Sequence, residues 1–458
     1  MTIRQSPRPR GRRLRPRGFG LHPAQVVVLG FAATISVGTL LLLLPFAKAG
    51  PGGASFVDAV FTATSAVCVT GLTVVDTPTY WSPFGQVVII LLIQLGGLGI
   101  MVFASLIGLL LLRRVSVRTR LNTANEAKAV GLDDVRGLVR RIVLISLAIE
   151  GAVFVCLFLR FLFGYGYGIG EAAWHALFHA VSSFNNAGFA LYSDNLIGFV
   201  SDPLVLLPIS AAIILGGLGF PVLMQLRREL RRPLHWTMNT KLVLWATVVL
   251  LVSGTVYICA IEWNNPATIG DLDVGSKLLA GFFHSVQVRT AGFNAVDIGA
   301  MHDETWLGMD VLMFIGGGPA GTAGGIKVTT FAVLFFILLT ELRGEAAVNI
   351  FGRRLSRAVH REAITVVLVA VGAVVGSTVL LMLITGHNLD RALFEAVSAF
   401  GTVGLSTGIT PELPDAAKFV LVALMFLGRL GPLTLGTALA LRERRILYEY
   451  PKERPAIG

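Results

Sequence analysis

The chain has 458 residues, 54% of them hydrophobic and only 14% charged, with 51 glycines and a mean hydropathy of +0.74. Soluble domains carry about a quarter charged residues, so this composition excludes an ordinary water-soluble globule as well as disordered, collagen-like and disulfide-rich classes. The net charge of +11 would suggest a nucleic-acid partner in a soluble protein, but its placement argues otherwise. Cys68, Cys156 and Cys259 are scattered through apolar stretches without metal-ligand spacing, which speaks against a disulfide framework or a zinc site.

In chain order, residues 1–21 form a basic tail with seven arginines between Arg4 and Arg17. The apolar run that follows is too long for a signal-peptide core, so it reads as a retained first helix. Eight runs long enough to span a bilayer follow in four pairs: 22–45 with 84–112, 138–163 with 204–226, 241–261 with 306–342, and 362–384 with 419–441. The corresponding repeats cover 22–113, 138–228, 241–343 and 360–442, and a second basic tail occupies 443–458. On this layout 30 of the 38 Lys and Arg residues fall on one side and five on the other, which places both termini in the cytoplasm of a multi-pass plasma-membrane protein. The N-terminal arginines then serve as a topology determinant, not a nucleic-acid site.

Between the members of each pair lies an apolar stretch too short to cross the bilayer: FVDAVFTATSAVCVTGLTVVDT, EAAWHALFHAVSSFNNAGFALYSD, KLLAGFFHSVQVRTAGFNAVDIG and RALFEAVSAFGTVGLSTGIT. Each starts at helical spacing and gives way to small residues, as a re-entrant hairpin would. Aligning them superposes Gly71, Gly188, Gly292 and Gly404, separated by 117, 104 and 112 residues. The second spans carry their own glycine centres: LGGLGIMVF, LGGLGFPVL, IGGGPAGTAGGIKV and LGRLGPLTL. Most of those glycines read as close helix packing. The expected fold is therefore all-α and polytopic, with four repeats of helix, re-entrant pore hairpin and helix around a pseudo-fourfold central pore.

Irregular backbone at membrane depth is tolerated where it is buried in protein or lines a water-filled path. Four such segments around an axis would present carbonyl oxygens in place of the hydration shell of a monovalent cation. The candidate lining is Val69-Thr70-Gly71, Asn186-Ala187-Gly188, Thr290-Ala291-Gly292 and Thr402-Val403-Gly404, the last matching the first letters of the potassium-channel TVGYG filter. Only the glycine is common to all four, so fewer well-formed ion sites are expected than in a tetrameric filter. Acidic residues favour the opposite side from basic ones, 16 of 27 lying outside, and Asp76, Asp194 and Asp297 are candidates for an outer vestibule or simply solvated loop charges.

The motifs VCVTGLTVVDT, FNNAGF, RTAGFN and GTVGLSTG, in this order and spacing, resemble the Trk/Ktr/HKT superfamily of potassium transporters, and most closely the Ktr membrane subunit. The resemblance implies selective potassium uptake through filter carbonyls, a homodimer, and a cytosolic RCK-type ring of nucleotide-binding regulatory subunits. Potassium would be the substrate, sodium an activator, and no cofactor would be bound by this chain.

Residues 306–342 would make a helix of roughly 55 Å, far more than a bilayer core of about 30 Å requires. Its centre, 316–325, holds six glycines and a proline in ten residues, so the helix should break there. Either a kink results, or a flexible intramembrane gate formed by Gly316, Gly317, Gly318, Gly321, Thr322, Gly324 and Gly325; the superfamily has a loop at this place. A phosphate-binding reading fails because Ile326 precedes Lys327 and Val328 follows it. Intramembrane cations are costly. Arg289 is expected to brace its hairpin through carbonyls or an acid, Arg429 to face the pore as part of the gate or to form an ion pair, and Lys327 to snorkel to the cytoplasmic interface. A secondary transporter of another solute usually shows inverted repeats, whereas these are parallel; a less selective Na/K channel is a further alternative. Glu150 is the one acid well inside a predicted span, and without a convergent catalytic set no enzyme is indicated.

Overall fold

A computed structural model describes residues 23–119, 132–345 and 347–431. Both basic tails, and the part of the last predicted span beyond residue 431, lie outside the described residues. The architecture is helical and membrane-spanning, as the hydropathy pattern leads one to expect, and falls into four consecutive groups. The first comprises α1 (Pro23–Leu42), the short α2 (Phe56–Val67), a single turn α3 (Thr77–Tyr80) and α4 (Pro83–Thr119). The second comprises α5 (Leu132–Gly164), short α6 (Ile169–Phe184), α7 (Pro203–Leu218) and α8 (Phe220–Glu229). The third comprises α9 (Met238–Glu262), short α10 (Val274–Gln287), α11 (Asp303–Phe314) and α12 (Val328–Leu342). A two-stranded hairpin, β1 (Asn349–Ile350) with β2 (Arg353–Arg354), leads into α13 (Arg357–Thr385), short α14 (Leu389–Gly401) and α15 (Asp415–Leu430).

The long outer helices turn apolar side chains to lipid, with Leu368 67% and Leu383 79% exposed on α13. The short helices α2, α6, α10 and α14 bury themselves progressively toward their C-termini, where α6 is continuously buried from Phe178 to Phe184 and α14 from Phe394 to Gly401. Packing between groups is cyclic: α4 lies on α6, α7 on α10, α11 on α14, and α15 returns to α2. The closest approaches use glycine. A Cβ on Gly96, Gly216 or Gly428 would collide with the backbone carbonyl of Val67, Phe184 or Phe400, the fourth residue before the aligned hairpin glycine of the same group.

Among the described residues five helices are long and apolar enough to cross a bilayer, and six if a bent pair counts as one span. One second span, 204–226, departs from the unbroken helix expected from the sequence. Among the described residues only α4 runs through unbroken. The 204–226 span stops at Gly219, where the chain bends by 100° into α8. At φ +88° and ψ 146°, Gly219 occupies a conformation open essentially to glycine alone, and Gly431 at the end of α15 has nearly the same values, +80° and 141°. In the third group the helix ends at Phe314 and resumes at Val328.

Candidate functional site

The four short helices converge by their C-termini on one place, so the negative ends of their dipoles share a focus. Two of them are capped at their N-termini by side chains: the Ser55 hydroxyl accepts the Asp58 N–H at 3.1 Å, and Asp273 accepts from the Ser276 hydroxyl at 2.6 Å and the Gly275 N–H at 2.9 Å. Hydrogen bonding by Ser276 and the helix N–H groups holds the Asp273 carboxyl below its ordinary range.

Beyond each C-terminus the backbone turns twice through positive φ, at Val69 and Gly71 (57° and 92°), Asn186 and Gly188 (59° and 69°), Thr290 and Gly292 (73° and 80°), and Thr402 and Gly404 (50° and 95°). The glycines form a closed ring. A Cβ on Gly71 would sit 2.5 Å from the carbonyl oxygen of Ala187, and one on Gly188 2.6 Å from that of Ala291. A Cβ on Gly292 would strike the Val403 carbonyl, and one on Gly404 the Thr70 carbonyl, which closes the circuit. The twelve residues aligned from the sequence are thus brought together, each glycine leaving room for the next group's middle carbonyl.

Side chains not singled out from the sequence hold this backbone. Ser65 and Ser398 accept the N–H of Gly71 and Gly404, each at 3.1 Å, while Ser182 donates to the Phe189 carbonyl at 2.8 Å. All three lie six residues before their glycine, so the glycine alignment itself would have revealed the column. In the third group Gln287 takes over, its Oε1 accepting the Phe293 N–H at 3.1 Å. Three residues past the ring, the N–H groups of Leu191, Ala295 and Thr407 donate to His179, His284 and Glu395 at 3.4, 3.3 and 3.2 Å. These are buried, so they brace the outgoing arm and do not touch solvent. Glu150 is paired as well: Gln94 donates to it at 3.0 Å, and Asn185, next to the ring, bonds both Gln94 (2.8 Å) and Glu150 (3.3 Å).

On one side of the ring lies a cavity of about 310 Å³ lined by all four glycines and by Asp76, Asp194 and Asp297. Asp76 also ties two arms together by accepting from Ser193 at 2.8 Å. The segment between α11 and α12 lies directly against the ring. The Thr322 hydroxyl donates to Asn186 Oδ1 at 2.9 Å, and a Cβ on Gly324 would run into the Thr402 side chain. The segment folds back on itself, with Gly316 N–H donating to Ile326 O (2.8 Å) and Val328 N–H to Gly317 O (3.0 Å). It also fills the break at Gly219: Gly318 N–H donates to Gly217 O (2.7 Å), Thr322 N–H to Gly216 O (3.1 Å) and Phe220 N–H to Ala320 O (3.1 Å).

All three intramembrane cations meet this segment. Arg429 is 3% exposed and bridges the Thr322 carbonyl to the Gly96 carbonyl of α4, the latter at 3.1 Å. Arg289 reaches the Gly316 carbonyl at 3.5 Å and Thr247 O at 3.4 Å. Lys327 turns back to donate to the Ala323 carbonyl at 2.6 Å. Among the described residues the Arg429 guanidinium is held by backbone carbonyls and has no acid partner.

Residues 24–445 match the TrkH family, described as a cation transport protein. Ktr system potassium uptake protein B of Bacillus subtilis is 41% identical over 92% of this chain and 94% of its own length. The protein of the same name from Vibrio alginolyticus is 39% identical over 97% and 96%. Potassium/sodium uptake protein NtpJ of Enterococcus hirae is 34% identical over 96% and 98%. In fold, the chain superposes on the crystal structure of the potassium transporter TrkH from Vibrio parahaemolyticus with a TM-score of 0.73 at 19% identity, over 94% of this chain and 87% of that one.

Proposed function

Since the chain belongs to the TrkH family of cation transport proteins, we propose that it takes up potassium across the membrane through the ring of four glycines. The observation that carries this reading is the cyclic packing of Gly71, Gly188, Gly292 and Gly404 against one another's neighbouring carbonyls. Such a backbone ring at membrane depth can replace a cation's water shell, and glycine admits the positive φ it needs. The three aspartates of the outer cavity raise the local cation concentration at its mouth. The names of the two Ktr relatives support potassium as the ion.

The segment 316–325 is the gate. It lies under the ring, and its carbonyls are held by Arg289, Arg429 and Lys327. Cations facing this position also raise the barrier to potassium while the segment is in place. In this reading two copies of the chain sit on a cytosolic ring of nucleotide-binding subunits, with sodium as an activator; the relatives' description as parts of a Ktr system favours accessory subunits. A less selective sodium and potassium pathway is the second reading, favoured by the name of the Enterococcus relative and by the unequal ring sequences. Purified protein in liposomes, assayed for potassium flux with sodium and rubidium competition, tests the proposal. Flux that ignores the choice of cation would overturn it.

A further inference from the structure

The 100° bend at Gly219 sends α8 nearly at right angles to the membrane-crossing α7. With α7 along the bilayer normal, α8 would run along the bilayer plane, and it is fixed to the start of α9 by Gln225, whose Oε1 accepts from the Thr240 hydroxyl at 2.6 Å. One face is internal, with Phe220 and Val222 buried. The other continues past the helix as RRELRRPLH, with Arg227, Arg228, Arg231 and Arg232 exposed and Glu229 as the sole acid between residues 220 and 240. Among these arginines Leu230 is 66% and Leu234 88% exposed. Large apolar side chains interleaved with guanidinium groups on an in-plane segment match the depth profile of a membrane surface, acyl chains for leucine and phosphate for arginine.

We propose that α8 and residues 230–234 form an arm that docks on anionic lipid headgroups, and that this docking bears on the segment 316–325. The link is direct, because Phe220, the first residue of α8, donates its N–H to Ala320, and Gly217 and Gly216 accept from Gly318 and Thr322. Bilayers favour this arm over a soluble acidic protein because a partner in water would leave the apolar tips of Leu230 and Leu234 to be covered by chance.

The effect on flux rests on the reading of 316–325 as a gate; the docking itself does not. Docking is read first, by counting phosphatidylglycerol retained on the purified protein by native mass spectrometry. A near-surface arginine contributes about fivefold in lipid affinity, so Arg231→Gln with Arg232→Gln should weaken retention by roughly thirtyfold. Leu234→Ser should weaken it while leaving the charge unchanged. Potassium flux is then compared in vesicles of phosphatidylcholine with and without phosphatidylglycerol, where wild type should respond and the double variant should not. Unchanged phosphatidylglycerol retention in folded double variant overturns the docking site. Altered retention with lipid-independent flux in both proteins overturns the link to the segment. A response abolished by high salt but untouched by Leu234→Ser would mark nonspecific charge attraction and also overturn the arm.

Discussion

Replacing Arg429 tests the segment beneath the ring most sharply, because this one side chain ties it to a different quarter of the bundle. In the structure its guanidinium donates to the Thr322 carbonyl and to Gly96 O of α4, with 3% of the residue exposed. Arg429→Met keeps the apolar stem and removes both bonds. A hydrogen bond from a charged donor contributes about 1.5–3 kcal/mol, so the balance between docked and undocked segment should shift by roughly tenfold to a hundredfold. Rubidium uptake into liposomes, divided by the amount of monodisperse protein, should rise by up to that factor until the undocked form predominates. Arg429→Lys separates the two ways the residue could act. It keeps the charge but cannot bridge two carbonyls with a planar fork, so loss of the tether predicts increased flux, whereas a purely electrostatic barrier predicts none. Normalised flux that falls in both variants would refute the gate and return Arg429 to a structural brace.

Gly404→Ser or Gly292→Ser should reduce potassium-over-sodium discrimination, since a Cβ meets the Thr70 or Val403 carbonyl and positive φ costs an L-residue about 1–2 kcal/mol; wild-type discrimination in reconstituted variants would count against the ring. Deleting 316–325 should increase normalised flux even without cytosolic subunits, and a decrease would contradict a blocking role. Gly219→Ala should lower the thermal midpoint and loosen the segment, because its Cβ would strike the Pro319 carbonyl, and unchanged hydrogen exchange at 316–322 would argue otherwise. The Asp273 carboxyl lies below its ordinary value of 3.8, so its stabilising cap is complete above that pH and is lost as pH falls through the lower native value. The unfolding midpoint should therefore drop at acid pH less steeply in Asp273→Asn than in wild type, and parallel pH curves would refute the cap.

The helical membrane class was legible because lipid demands long apolar runs and water demands charge between them, and both survive in any single sequence. Gly71, Gly188, Gly292 and Gly404 could be aligned because close carbonyl approach leaves no substitute for glycine. The broken helix at Gly219 was not legible. LGGLG occurs at residues 95–99 and again at 215–219, yet α4 runs through the first and α7 stops at the second. The difference comes from residues 316–322, about 100 positions away, whose backbone groups pair with Gly216, Gly217 and Phe220. Pro221 was the local hint, since proline is at home in a first helical turn. The buried anchors Ser65, Ser182 and Ser398 look unremarkable as single hydroxyls in apolar helices, and only their shared offset of six residues from the aligned glycines marks them in the sequence.

The direct contact between Thr322 and Asn186 has a consequence for how such a ring can be controlled. A ring made from four identical chains must treat its quadrants alike, and four copies of a ten-residue crossing segment would compete for the same axis. Here one polypeptide supplies four unequal quadrants, so a single crossing segment can lean on two of them, through Asn186 and Thr402, without being repeated in the others. Asn186 and Thr402, which meet that segment, can then diverge in sequence from Val69 and Thr290 at the same place in the other quadrants. Fusion of the quadrants into one chain thus permits obstruction and selectivity to be altered by separate single substitutions.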